Sequence, residues 1–135
     1  MLGNMLNIDP DQCPNIVIGV GDPNTRKKMY EEKIKLGFQF PSIIHTNTIV
    51  SSHSTIEDAV IIGPYSTVLS GSTVKKGACL LSCVNINHDI VVNKFSLVGA
   101  NVSIGNNSIL GEGCHITMGK IIKPNSSIDA GLYYE

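Results

Sequence analysis

The chain has no tryptophan, only three phenylalanines and four tyrosines in 135 residues. With so few large rings, a core must rest on aliphatic side chains. Charge is sparse too: ten Lys and Arg stand against eleven Asp and Glu, for a net charge of −1 and a pI near 6.4. Such a balance gives no general attraction to nucleic acid or to an anionic membrane. No apolar run approaches the ~20 residues that a bilayer crossing needs. The opening stretch, M-L-G-N-M-L-N-I-D, lacks the basic-then-apolar order of a secretory signal. The four cysteines, at 13, 79, 83 and 114, match no zinc-ligand spacing. Without a secretory signal they are expected as reduced thiols in core or surface packing. A cytoplasmic protein is expected, of one domain or one domain with a small appendage.

What the chain has in quantity is branched aliphatics. Ile, Val and Leu supply 38 residues, which favours β structure. They are also ordered. Every sixth residue from Ile44 to Ile128 is Ile, Val or Leu, without an insertion. Chance agreement of that kind is on the order of one in ten million, so this is a true repeat. The residue three places on is Gly, Asn or Asp in ten of fifteen hexads, from Asn47 to Gly131. Those types tolerate left-handed backbone angles, which a corner between short strands demands. The residue four places on is mostly small or apolar. Each hexad therefore reads as one short strand plus one corner.

Three hexads close a triangular coil of eighteen residues, and five coils fill 44–133. Side chains eighteen apart then stack at ~4.8 Å. The expected core columns are Ile44/Ile62/Leu80/Val98/Ile116, Val50/Val68/Ile86/Ile104/Ile122 and Ile56/Val74/Val92/Leu110/Ile128. One residue conflicts with the pattern: Lys120 holds a small, inward-leaning place. Burying an unpaired ammonium costs several kcal/mol, so the corner must bulge or the lysine must reach solvent.

Residues 1–42 read differently from 43–135, and the two are expected as separate units. Asn15 to Val20 suggests a strand. Thr25 can cap a helix over R-K-K-M-Y-E-E-K-I-K-L, ended by Gly37. That helix is expected to cover the first coil through Met29, Ile34, Phe38 and Phe40. The run Arg26-Lys27-Lys28 reads as a solvated helix face rather than a phosphate site.

The hexads resemble those of the hexapeptide-repeat acyltransferases. A narrower series runs from about Asn15 to Asp129: V-I-G-V-G-D-x-N-x-R, L-G-F-x-F, I-I-H, V-N-I-N-H-D-I-V-V-N-K-F-S and V-G-A-N. It is similar to bacterial sialic acid O-acetyltransferases and nucleotide-amino-sugar N-acetyltransferases, here shortened at both ends. The resemblance implies an all-β fold, a left-handed parallel β-helix, preceded by a short strand-helix segment. It also implies a homotrimer, acetyl-CoA as cosubstrate and a small-molecule sugar acceptor in surface polysaccharide biosynthesis.

Residue by residue, the resemblance places His88 at the family's catalytic histidine, which takes a proton from the acceptor. Asp89 stands where members carry an acidic residue that orients the imidazole; it reads equally as a corner residue. Asn106, one coil on, matches a position whose backbone N–H faces the thioester, and Pro124 matches a proline near the cofactor groove. Both also fit plain corner positions. At Leu97 the series departs from a second histidine that contacts acetyl-CoA. His45 reads as a packed loop residue; His53, thirty-five residues before His88, comes near the same corner two coils away, and His115 falls on a different corner. No three histidines cluster, which disfavours a zinc site like that of γ-class carbonic anhydrases. Two functions follow: an acetyl-CoA-dependent transferase acting on an amino sugar, sugar nucleotide or sialic acid, or a non-catalytic β-helix that assembles or regulates.

Overall fold

A computed structural model describes residues 8–135 of the chain. Residues 1–7, which carry most of the stretch read for a secretory signal, lie outside the described residues. From Ile43 to Tyr134 the backbone is a succession of two-residue parallel strands separated by corners. Each strand pairs with the one eighteen residues away, as in Ile62↔Leu80, Ile86↔Ile104 and Leu110↔Ile128. Three sheets result, of six, five and five strands, which form the walls of a solenoid of about five turns. The three predicted columns line its interior. Leu80, Ile86, Val92, Val98, Ile104, Leu110 and Ile116 have no exposed surface.

The corners follow the same period. Every residue of the corner column from Ala59 to Gly131 has positive φ, including Ala59, Tyr65, Cys83 and Phe95 beside the expected Gly, Asn and Asp. A bulky residue in that region is uncommon, so a position filled that way must be held by its surroundings.

Serines inside the wall tie coil to coil. The Ser72 hydroxyl donates to the Asn87 carbonyl at 2.6 Å and accepts from the Ile90 N–H at 3.0 Å. Ser66 does the same with Leu81 and Val84. Both serines are buried, and a buried hydroxyl without partners would be costly. Lys120 resolves without a bulge. The strand register continues through it, its carbonyl accepts from the Ser103 N–H at 2.9 Å, and its side chain is half-buried.

The N-terminal segment differs from expectation in four respects. Asn15 to Val20 is not a strand: among the described residues one bridge, Asn15↔Gln39, is its only ladder contact. The helix spans Pro23–Ile34 and its N-cap is Asp22, whose carboxylate accepts from the Thr25 N–H at 2.7 Å. Thr25 is thus the capped residue, not the cap, because Pro23 opens the helix two residues earlier. Gly37, at φ +94°, turns the chain after the helix has ended.

Third, the helix does not cover the first coil. It lies alongside the corner formed by Ala59, Gly77, Phe95 and Gly113, with Lys27 reaching Glu112 at 2.7 Å. Phe38 and Phe40 are buried with Ile18 in a second core, whereas Ile34 is exposed and Ile44, in the first coil, remains 40% exposed. Fourth, Arg26 is not solvated. It is buried, and all five of its N–H donors meet carbonyls: Nε donates to Gly77, Nη1 to Val20 and Gly21, Nη2 to Phe95 and Ser96, at 2.7–3.1 Å. Burial pushes its pKa down from the usual arginine value, but a guanidinium stays charged regardless. Among the described residues it has no carboxylate partner within ion-pair distance. The carbonyl dipoles take that place.

Candidate active site

His88 sits on the corner that follows the strand Asn85–Ile86. Its neighbour Asp89 has φ +59°, and this left-handed turn brings the two side chains together. His88 Nδ1 lies 2.8 Å from Asp89 Oδ2. An ionised carboxylate can only accept, so Nδ1 donates, and in the neutral imidazole Nε2 then keeps its lone pair. Both side chains are more than half exposed, at 54% and 59%. The pair therefore presents a free, oriented basic nitrogen to whatever lies outside the corner.

Asn106 and Pro124 stack above His88 on the same corner, as the eighteen-residue register requires. One coil is ~4.8 Å, which puts Pro124 about 10 Å from His88 along the solenoid. Backbone bonds connect the three levels: the His88 carbonyl accepts from Asn107 N–H, and the Asn106 carbonyl from Asn125 N–H. Among the described residues, no protein hydrogen bond uses the Asn106 N–H. Pro124 rests on Gly105, where a Cβ would stand 2.5–2.8 Å from atoms of the proline ring. These four residues thus share one ridge, but only His88 and Asp89 touch through their side chains.

The remaining candidates lie elsewhere. Leu97 is nearly buried on another wall, beside Gly21 of the N-terminal segment, so here it is a packing residue. His45 Nδ1 accepts from the Asn47 N–H, and His115 meets the Tyr133 ring edge-on at 4.6 Å. Among the described residues no group of three or more His, Cys, Asp or Glu is placed to hold a metal ion. Cys79 and Cys114 are buried, and burial pushes both thiols up from their usual pKa. That disfavours the reactive thiolate. Sequence reasoning missed Arg26, and also Gly71, which lies beneath Asp89. The signal for Gly71 was its place eighteen residues earlier.

The architecture has known counterparts. A mutant of perosamine N-acetyltransferase from Caulobacter crescentus, solved with CoA and GDP-perosamine, matches with a TM-score of 0.74 at 18% identity. The match covers 90% of this chain and 61% of that one. The acetyltransferase domain of PglB from Neisseria gonorrhoeae, solved with acetyl coenzyme A, matches at 0.62 and 24% identity, over 87% and 60% of the two chains. WeeI from Acinetobacter baumannii matches at 0.60 and 18%, over 87% and 65%. At these identities the likeness is one of fold. This chain spans about three fifths of the first two proteins' length. No protein-family profile matches it. Among the described residues no helix is long and apolar enough to cross a membrane.

Proposed function

We infer that the chain is an acetyl-CoA-dependent acetyltransferase whose acceptor is an amino sugar, a sugar nucleotide or a sialic acid, serving surface polysaccharide synthesis in the cytoplasm. The observation that carries this reading is the His88–Asp89 pair: an exposed imidazole with its Nδ1 held and its Nε2 free. The solenoid shared with sugar N-acetyltransferases supports it.

Acetyl-CoA supplies an acyl carbon already activated as a thioester. His88 Nε2 takes the proton from the acceptor's amine or hydroxyl as that group bonds to the acyl carbon. The carbon–sulfur bond breaks, and the thiolate of CoA receives a proton. Asp89 keeps the imidazole in the productive tautomer and balances its positive charge while it holds the proton. The Asn106 N–H, which has no protein acceptor among the described residues, donates to the carbonyl oxygen as negative charge develops there. Pro124 borders the pantetheine arm further along the ridge.

General-base catalysis contributes ~10²–10⁴-fold. His88→Ala should lower turnover by about that factor in a thiol-release assay with acetyl-CoA and a panel of amino sugars. Equal turnover in the two proteins would remove His88 from the mechanism.

A homotrimer with a left-handed winding belongs to the same reading. His88 stands on an open corner that cannot enclose a substrate alone, and outward apolar residues such as Leu69 and Leu81 are exposed on the walls. Sedimentation equilibrium should report three chains per particle; a monomer at micromolar concentration would sink this part.

A further inference from the structure

The His88–Asp89 hydrogen bond is made in the open, where such a pair is weak by its own strength. Water can replace either partner, and both side chains have room to turn. Something else must fix the carboxylate on the imidazole. The Asp89 backbone supplies part of the constraint through its left-handed φ of +59° and the bond from its N–H to the Ser70 carbonyl at 3.0 Å. The rest comes from the space below. Gly71 lies one coil earlier at the same corner, and the Asp89 carboxylate is folded down over it. A Cβ built on Gly71 would stand 3.1 Å from Asp89 Cγ and would overlap Oδ1 outright. The other oxygen, Oδ2, is the one that holds His88.

We propose that Gly71 is a positioning residue: its missing side chain is the seat that keeps the Asp89 carboxylate against His88 Nδ1. The proposal rests on the reading of His88 as a general base, but the seat itself can be measured without any turnover. A side chain at position 71 does not clash with backbone. It displaces the end of a flexible carboxylate, which swings into solvent at little cost to the fold. The loss therefore falls on the orientation of His88 and on the choice of which ring nitrogen carries the proton.

The chain provides its own control. Gly119 occupies the same place in its hexad, on another corner in the last coil, with the same φ of +74°, and a Cβ there would meet nothing within 4 Å. Gly71→Ala and Gly119→Ala thus share the backbone strain, and only the first strikes a carboxylate. Gly71→Asn guards against failure to fold, because this chain already carries Asn at the same corner, at Asn107 and Asn125, with φ near +60°. Asn keeps the left-handed turn and still adds the obstructing Cβ.

The experiment is a two-bond proton–nitrogen NMR spectrum of the His88 ring at about pH 9, above the imidazole range. Wild type and Gly119→Ala should show the proton on Nδ1. Gly71→Ala and Gly71→Asn should lose that signature and match Asp89→Ala. With acetyl-CoA and an amino-sugar acceptor, the two Gly71 variants should lose about tenfold to a hundredfold in kcat, with KM unchanged, a part of what a general base provides. Gly119→Ala should turn over as wild type does. A wild-type ring signature in both Gly71 variants would overturn the proposal. So would a changed signature in Gly119→Ala, since strain alone would then explain the effect. If wild type shows no turnover at all, the functional reading fails, while the ring spectra still decide whether Gly71 seats Asp89.

Discussion

Two corners of the same coil, six residues apart, use one construction for different ends. At one, Phe95 takes a left-handed φ of +57° and lays its ring over Gly77 of the coil before. At the other, Asp89 takes +59° and lays its carboxylate over Gly71. In both cases the glycine is the empty place that receives a side chain from above. Phe95 is buried and stacks at 5.6 Å on Tyr30, so its corner anchors the N-terminal segment. Asp89 is exposed and its carboxylate holds His88, so its corner anchors an imidazole. The hexad fixes the backbone at both corners, and the side chain one coil later decides what each does.

The apolar corner should show the largest energetic effect, because Arg26 ties the helix to it. Arg26→Met keeps much of the side-chain volume but leaves the carbonyls of Val20, Gly21, Gly77, Phe95 and Ser96 without a guanidinium. Each buried carbonyl left without a donor costs ~1–3 kcal/mol, so losing several together costs about 3–5 kcal/mol, roughly a hundredfold to several thousandfold in the local opening equilibrium. Amide exchange should accelerate by that factor across Pro23–Ile34 while the Leu80 and Val98 amides keep their protection. Uniform acceleration through the coils would mean that the segment is not a separable layer on the solenoid. Exchange unchanged in the helix would mean that the five bonds add nothing beyond packing.

The solenoid was legible because its core obeys one simple period. A hexad that must bury its first residue in every coil writes Ile, Val or Leu at every sixth place, and an inserted residue would turn all later side chains outward. The N-terminal segment has no such period. The helix buries only Pro23 and Arg26 of its twelve residues, so no apolar stripe announces which side faces the coils. Arg26 in particular looks like a solvated cation in sequence, since nothing local reveals that carbonyls from residues 77, 95 and 96 converge on it. His88 was legible by resemblance alone. Its contact with Asp89 needed the corner's left-handed turn, and the seat at Gly71 needed the register between coils.

The three glycines form a graded series that tests this comparison by stability alone. Gly71, Gly77 and Gly119 have φ of +74°, +67° and +74°, so alanine at any of them carries a similar left-handed strain of ~1–2 kcal/mol. What lies above differs. At Gly119 there is open space, and strain is the whole effect. At Gly71 the obstacle is a carboxylate free to swing into solvent, so its cost should match that of Gly119 within about 0.5 kcal/mol. At Gly77 the obstacle is the Phe95 ring, which is 4% exposed and wedged beside Tyr30. It cannot move aside without shifting the carbonyls that bind Arg26. Overpacking of this kind adds ~1–3 kcal/mol. Urea unfolding should therefore rank Gly77→Ala clearly below the other two variants, with Gly71→Ala and Gly119→Ala alike. Equal losses at all three would show that the ring over Gly77 is as free as the carboxylate over Gly71. A Gly71→Ala loss as large as that at Gly77 would show that the Asp89 corner also holds the fold, in which case a fall in its turnover could no longer be assigned to His88 orientation alone.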